Sequence, residues 1–303
     1  MNRFIAITSV GLFLALSLWA ALIYSNKDET PVVTVGEPLP QLVKAVDISK
    51  PMFFMNEIVP LNNFDVLERL DRELLVNSYW HSSTVLNLKN ANRYFPIVEK
   101  ILEEQKIPTD FKYLMVAESA FQNASSPRGA KGFWQFRKAA AKEMGLEVNS
   151  DIDERYNLEL ATRAAAKYIR KNKSRFGSWT LAAAAYNIGP SKLKSEMEKQ
   201  QETSFYDLNL NAETSRYLFR IMAIKEVMEH PMDYGFILEA KDLYRPLDNY
   251  TVLQVDYQID TLAKFAHDNG ITYRMLKLYN PWMRSSRLPN KSKKMYYVKI
   301  PKN

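Results

Sequence analysis

Cysteine is absent from the 303 residues, and histidine occurs only three times, at His81, His230 and His267. The first absence excludes disulfide bonds, thiolate metal sites, a cysteine nucleophile and a lipid-modified N-terminal cysteine. The wide separation of the histidines argues against a histidine-built zinc centre. Glycine is also scarce, with nine residues. Hydrophobic residues nevertheless make up 47% of the chain and charged residues 25%, so a packed core is possible and global disorder is excluded.

One long apolar run is present, from Phe4 to Tyr24, with Arg3 before it. As a helix it would span about 30 Å, the thickness of a bilayer core. We interpret residues 1–25 as a signal-anchor or a signal peptide, and we favour the uncleaved anchor because the run exceeds the usual apolar region of a signal peptide. The basic residue on the short side predicts that the rest of the chain is exported to the periplasm.

The distribution of proline divides the remaining chain. Five of the fourteen prolines fall within residues 26–61, which predicts an extended linker there. From residue 62 onward, apolar residues recur at spacings of three and four, which predicts a mainly α architecture with an all-α domain over residues 62–240. After Pro246 the pattern changes to a small α+β module over residues 248–303, in the order β-α-α-β.

Within the all-α domain, Thr109-Asp110 is a candidate N-cap for a helix on which Phe111, Leu114 and Glu118 share one face. A carboxylate that ends an apolar stripe is either a surface charge or a buried acid. Burial would raise its pKa and keep it protonated near neutral pH, as a general acid requires.

The stretch that follows, from Gly129 to Phe136, combines glycine with aromatic residues. Gly129 and Gly132 permit a positive φ or the close approach of a bulky polymer. Trp134 and Phe136 could stack on sugar rings, and Gln135 can both donate and accept hydrogen bonds. A turn with aromatic core residues is the alternative that the spacing leaves open.

A third motif is an alanine-rich helix that ends in Tyr186-Asn187, where polar tips can enter a cleft. Alanine runs allow close helix packing, and they are also simply good helix formers.

Together these motifs resemble the SLT-type lytic transglycosylases, which have a goose-lysozyme-like fold and act on peptidoglycan. The resemblance covers about residues 85–230 and rests on four elements in the family's order: Glu118-Ser119, the Gly-x-x-Gly-x-x-Gln of Gly129, Gly132 and Gln135, Ala185-Tyr186-Asn187, and Glu213-Thr214-x-x-Tyr217. It is greatest for the membrane-bound lytic transglycosylase D group. Arg137-Lys138 departs from the Met-Pro that the family often has there.

The resemblance implies that Glu118 is a single catalytic acid and base, which cleaves the bond between N-acetylmuramic acid and N-acetylglucosamine and leaves a 1,6-anhydro end. It implies substrate-binding roles for Ser119, Gly129, Gly132, Gln135, Tyr186, Asn187 and Tyr217, and it requires no metal or cofactor. The nearby acids between residues 143 and 154 are interpreted as solvated or structural. The expected partners are peptidoglycan strands and, through the N-terminal helix, a membrane.

Three alternatives remain. Glycoside hydrolases usually use two carboxylates, so a muramidase or chitinase-type hydrolase of the same fold is the nearest rival. A non-catalytic peptidoglycan-binding scaffold is the second. Nucleic-acid binding rests only on the basic balance, with no supporting motif.

The C-terminal module resembles a LysM peptidoglycan-binding domain, through Asp260-Thr-Leu-Ala, Asn280-Pro281 and the closing strand, although Ile259 replaces the usual glycine. A module that only packs against the catalytic domain is the alternative. Residues 250–303 hold ten basic residues against three acidic ones, which accounts for the whole net charge of +7. This excess predicts attraction to the anionic cell wall or an anionic membrane face, weakened by salt.

Overall fold

The computed structural model describes residues 44–302. The predicted anchor over residues 1–25 and the first part of the predicted linker lie outside this range. Within the described part of the chain, no helix is both long and apolar enough to cross a membrane. These residues are mainly helical and end in a small β-α-α-β module, so the predicted fold class is confirmed.

Eight helices of the described chain build the larger part of the structure: α1 (Phe64–Tyr79), α2 (His81–Glu104), α3 (Phe111–Ser119), α4 (Lys138–Glu143), α5 (Leu158–Phe176), α6 (Trp179–Ile188), α7 (Pro190–Gln200) and α8 (Ala212–Glu229). A short antiparallel hairpin of β1 (Phe53–Phe54) and β2 (Glu57–Ile58) precedes them.

The C-terminal module consists of β3 (Tyr250–Val255), α9 (Leu262–Asp268), α10 (Tyr273–Tyr279) and β4 (Tyr296–Pro301). Strands β3 and β4 pair antiparallel, with Leu253 opposite Val298.

Polar side chains begin the longer helices where the sequence offers them. Asn157, Ser178 and Asn211 start α5, α6 and α8, and each accepts a hydrogen bond from a backbone N–H group of the first turn. Asp110 stands at the predicted N-cap position of α3 but makes no capping hydrogen bond. Its carboxylate pairs instead with Lys225 of α8, at 2.5 Å, so the cap prediction is wrong in its chemistry.

The end of the predicted linker belongs to the helical domain. Phe54 and Val59 are buried in its core. The carboxylate of Glu57 accepts hydrogen bonds from the backbone N–H groups of Trp179 and Thr180, at 2.6 and 2.9 Å. It therefore places a negative charge at the positive end of α6. The prediction of a spacer is wrong for this hairpin, because the apolar residues between its prolines reach the core.

Helix α8 is the central element of the helical domain. It packs against α1, α3 and α6. Leu218, Phe219 and Met222 are all buried. This packing brings the end of α3 and the end of α6 against the same side of α8.

The connection between α3 and α4 is a compact loop, which we call the 124–136 loop. Backbone hydrogen bonds close it, from Lys131 N–H to the carbonyl of Phe136 and from Gly132 N–H to the carbonyl of Ala124, both at 3.1 Å. At Gly132, where φ is +79°, the backbone passes so close to Arg155 that a Cβ atom would lie 1.9 Å from the Arg155 carbonyl oxygen. Glycine is therefore required there on two grounds.

We expect Gly132→Ala to lower the free energy of unfolding by more than about 3 kcal/mol, because it combines a left-handed conformation with a backbone clash. Gly129→Ala is the matched control: its φ is +77°, yet nothing lies within 4 Å of its Cβ position, so strain alone should cost about 1 kcal/mol. Urea denaturation of the two variants measures the difference, and equal losses would contradict the close approach.

Candidate active site

Glu118 lies in the last turn of α3 and faces α8. The hydroxyl of Tyr217 donates a hydrogen bond to Glu118 Oε1. Burial raises the pKa of the Glu118 carboxyl to about 7, and the charge of Glu213 adds to this effect, whereas the Tyr217 hydrogen bond and Arg220 act in the opposite direction. Near neutral pH the carboxyl can therefore both hold and release a proton.

Two phenols border this carboxyl. Burial raises the pKa of both Tyr186 and Tyr217 well above the usual range, and the charge of Glu118 raises it further. Both hydroxyls therefore remain protonated donors. The Tyr186 hydroxyl donates to the carbonyl of Trp134, at 2.7 Å, and so connects the end of α6 to the 124–136 loop.

Asn187 connects the end of α6 to the start of α8. Its Oδ1 accepts a hydrogen bond from Thr214 Oγ1 at 2.8 Å, and its Nδ2 donates to Glu213 Oε1 at 3.3 Å. Glu213 also pairs with Arg128 at 3.5 Å, where both side chains are more than half exposed. An exposed pair of this kind contributes little stability, so Glu213 borders solvent.

Two other predicted binding residues, Gln135 and Ser119, both make hydrogen bonds to nearby backbone carbonyls. Gln135 has a left-handed backbone, with φ of +46°, and its Nε2 donates to the carbonyls of Gly132 and Ala124, at 2.8 and 3.2 Å. Ser119 is buried and donates to the carbonyl of Met115 at 3.2 Å, back along its own helix. The structure thus groups the predicted acid with the two tyrosines and directs the serine away from them.

The backbone turns sharply directly after the predicted acid. Ala120 and Phe121 both adopt left-handed conformations, with φ of +46° and +60°. Such conformations cost on the order of 1 kcal/mol each for non-glycine residues. The buried Phe121 ring packs on those of Tyr94 and Phe95, with centroids 5.7 and 5.4 Å apart. This packing holds the turn and ends α3 one residue beyond Glu118.

Trp134 and Phe136 are core residues. Trp134 is fully buried, and its Nε1 donates to Thr162 Oγ1 at 2.9 Å. The buried ring of Phe136 contacts those of Tyr168 and Tyr186. The prediction that these two aromatics stack on sugars is wrong, because the loop folds both side chains inward, and the aromatic-core alternative is correct.

The acids between residues 143 and 154 have structural partners. Asp153 and Arg155 form a buried ion pair at 2.7 Å, and Glu147 and Glu154 both pair with Lys294, at 2.8 Å. Within residues 44–302, no three His, Asp or Glu side chains form a group that could hold a metal ion.

Arg155 is a residue that sequence reasoning missed. Besides its ion pair, its Nη1 donates to the carbonyls of Gly129 and Phe136, at 3.1 and 3.0 Å, which are 26 and 19 residues away. The sequence showed only an arginine in a polar loop. Nothing in local spacing could reveal partners so far along the chain.

Two domain families match the chain. Residues 96–209 match the transglycosylase SLT domain, and residues 251–303 match the soluble lytic transglycosylase C-terminal LysM-like domain. The first match contains Glu118, Gln135, Tyr186 and Asn187. It ends before Tyr217, so the phenol that contacts the predicted acid comes from outside the matched segment.

Relatives with known names agree with these matches. The membrane-bound lytic murein transglycosylase D of Escherichia coli K12 is 27% identical over 246 residues, which is 79% of this chain and 52% of that protein, so the chain spans about half of the relative's length. The peptidoglycan transglycosylase gp16 of Escherichia phage T7 is 35% identical over 119 residues, 38% of this chain and 9% of that protein. Among solved structures, the 70 kDa soluble lytic transglycosylase Slt70 from Escherichia coli is 20% identical, with a TM-score of 0.41 over 52% of this chain and 28% of that one.

We expect Glu118→Gln to stabilise the protein at alkaline pH. Between its ordinary pKa of 4.5 and its folded pKa of about 7, the carboxyl is ionised in the unfolded chain but still protonated in the folded one, so the stability of the wild type falls as the pH rises through this window. The amide cannot ionise, so the variant should be more stable at pH 8 by about 2–3 kcal/mol and equal to the wild type at pH 4. Urea denaturation across this range measures the difference.

The control is Glu198→Gln, a side chain that is 65% exposed on α7 and should show no such pH-dependent gain. A stability difference for Glu118→Gln that is constant from pH 4 to pH 8 would contradict the raised pKa.

Proposed function

We propose that this chain, which contains a transglycosylase SLT domain over residues 96–209 and a soluble lytic transglycosylase C-terminal LysM-like domain over residues 251–303, is a peptidoglycan lytic transglycosylase. It would cleave the β-1,4 bond between N-acetylmuramic acid and N-acetylglucosamine during cell-wall turnover and leave 1,6-anhydromuramoyl ends. The observation that best supports this proposal is the half-buried Glu118 carboxyl, which accepts a hydrogen bond from Tyr217 and has a pKa of about 7.

In the first step, protonated Glu118 donates its proton to the glycosidic oxygen, and the bond from that oxygen to the muramoyl C1 breaks. The N-acetylglucosamine side leaves as an alcohol. The substrate's own N-acetyl group supports the positive charge that develops at C1, so a second carboxylate is not required. A pKa of about 7 keeps a large fraction of the carboxyl protonated at neutral pH.

In the second step, the Glu118 carboxylate removes the proton from the muramoyl C6 hydroxyl, whose oxygen bonds to C1 and closes the anhydro ring. The proton lost in the first step thus returns, and no water is consumed. The Tyr217 hydroxyl, which donates to Glu118 Oε1, stabilises the carboxylate between the two steps.

The remaining predicted residues take supporting roles in this proposal. Tyr186 and Asn187, at the end of α6, and Gln135, in the 124–136 loop, would orient the N-acetyl group and the acid. Gly129 and Gly132, both with positive φ, would allow the loop to turn beside the bound glycan strand. Ser119 would support the helix end through its bond to the Met115 carbonyl.

A wall polymer as substrate would place the protein outside the cytoplasm, in the periplasm. The apolar run from Phe4 to Tyr24 would tether it to a membrane there. The peptidoglycan strands would then be reached from the membrane surface.

We expect Glu118→Gln to reduce the release of 1,6-anhydromuropeptides from purified sacculi by at least about 100-fold, because the general acid is lost. Mass spectrometry of the released fragments measures the products. The variant should still pellet with sacculi. Binding by the wild type without any turnover would favour the scaffold alternative, and full activity of the variant would refute the role of Glu118.

Glu213 gives the hydrolase alternative a structural basis, because it is a second carboxylate that acts on Glu118 electrostatically and is more than half exposed. A hydrolase that used it to activate water would lose about 100-fold or more in Glu213→Gln and would release reducing ends.

The transglycosylase proposal predicts a different result for Glu213→Gln: the 1,6-anhydro products persist. Since Glu213 raises the pKa of Glu118, its removal should also move the alkaline limb of the pH–rate profile to lower pH. Rates and product masses measured from pH 5 to pH 8 distinguish the two mechanisms.

A further inference from the structure

The C-terminal module shares its core with a loop of the helical domain, residues 147–156. Ile152 and Tyr156 of this loop are buried in the same hydrophobic cluster as the module's own Leu262 and Val298. An independent glycan-binding module joined by a linker would instead complete its core with its own residues.

Backbone hydrogen bonds also join the 147–156 loop to the module. The N–H group of Asp153 donates to the carbonyl of Trp282, at 2.9 Å, and the N–H group of Arg284 donates to the carbonyl of Asp151, at 2.7 Å. Ile152 lies between these two bonds and forms an antiparallel bridge with Met283. The 147–156 loop is therefore held by the module much as a short edge strand is held by its neighbour.

Charged side chains of the module close over the same loop. Lys294 Nζ donates to Glu147 Oε2 and Glu154 Oε1, both at 2.8 Å, and the Tyr296 hydroxyl donates to Glu147 Oε2 at 3.0 Å. The Arg284 guanidinium lies over the Tyr156 ring, 4.1 Å from its centroid. Part of the module's positive charge is thus directed to the helical domain.

Arg155 transmits this support to the active-site loop. Its side chain is 4% exposed and is held by two hydrogen bonds to Asp153, at 2.8 and 2.7 Å. From this fixed position its Nη1 donates to the carbonyls of Gly129 and Phe136, on both sides of Gln135. The Arg155 backbone also lies against Gly132, where no Cβ atom fits.

We propose that the C-terminal module is a positioning support of the active site, and that Arg155 is the positioning residue through which it fixes the 124–136 loop and Gln135. This inference rests on the proposed function, because it gives that loop a role in the glycan-cleaving site. It assigns the module a contribution to the rate of cleavage itself, separate from any binding of the wall.

The test compares full-length variants by hydrogen exchange and by kinetics. Lys294→Ala removes the contacts to Glu147 and Glu154, and Arg155→Lys keeps the charge but loses the fork that reaches Gly129 and Phe136. Lys264→Ala is the matched control, since this lysine is 74% exposed and pairs with Asp268 inside the module.

In the first measurement, the hydrogen-bonded amides of Lys131, Gly132 and Gln135 should exchange at least about 10-fold faster in Lys294→Ala and Arg155→Lys, and at the wild-type rate in Lys264→Ala. Lys294→Arg, which keeps charge and reach, should restore protection. Unchanged exchange in Lys294→Ala would overturn the proposal, and this variant tests it even if Arg155→Lys fails to fold.

In the second measurement, kcat on a short, soluble, peptide-free glycan strand should fall about 3- to 10-fold in Lys294→Ala, while KM and binding to sacculi stay at the wild-type values. A loss confined to sacculus binding would show that the module acts only as a wall-binding domain and would overturn the proposal. If the wild type cleaves neither substrate, the proposed function fails, and the exchange data alone still decide whether the module fixes the loop.

Discussion

The buried ion pair between Asp153 and Arg155 is the interaction on which the helical domain and the C-terminal module both depend. Two charges removed from water destabilise a fold unless their hydrogen-bonding capacity is satisfied. Here the carboxylate receives two bonds from the guanidinium, whose Nη1 reaches the carbonyls of Gly129 and Phe136. The backbone N–H group of Asp153 donates a hydrogen bond to the carbonyl of Trp282 in the module. The pair therefore links the 124–136 loop, the 147–156 loop and the module through one connected set of hydrogen bonds.

The pKa of Glu118 is set by opposing effects of its surroundings. Burial favours its neutral form, whereas Tyr217 and Arg220 favour the charged form, and the balance leaves a pKa of about 7. A carboxyl with this pKa can both donate and accept a proton near neutral pH, which is what the proposed mechanism requires of it. The left-handed backbone at Ala120 and Phe121 is the structural cost of ending the helix at this point, and aromatic packing around Phe121 offsets it. Strain and desolvation are thus concentrated in the same few residues.

Features set by local sequence were predictable, and features set by distant partners were not. The mainly helical domain and the β-α-α-β order of the module follow from apolar periodicity, and the structure has both. For Trp134 the sequence left a sugar-stacking surface and an aromatic core both open, because an aromatic residue in a glycine-rich loop has the same pattern whether it points outward or inward. Its partner, Thr162, lies 28 residues away. The capping role of Glu57 likewise depends on a helix more than a hundred residues later. For Glu118, the pattern of its helix allowed either a surface charge or a buried acid, and it is the packing against α8, with the hydrogen bond from Tyr217, that removes its carboxyl from water.

The positive charge of the C-terminal module is another feature whose role depends on distant partners, because a count of basic residues does not show which of them are paired in the fold. Its ten basic residues were counted as available to an anionic wall. Three of them pair with acids of the helical domain: Lys294 with Glu147 and Glu154, Lys299 with Glu159, and Arg287 with Asp151. Salt screens exposed charges strongly and partly buried pairs much less. The Lys294 contacts, one of them to the buried Glu154, are therefore screened by salt less than the exposed basic residues of the module. Some of the module's basic residues join it to the helical domain and others stay exposed, so net charge alone cannot distinguish a targeting module from a structural one.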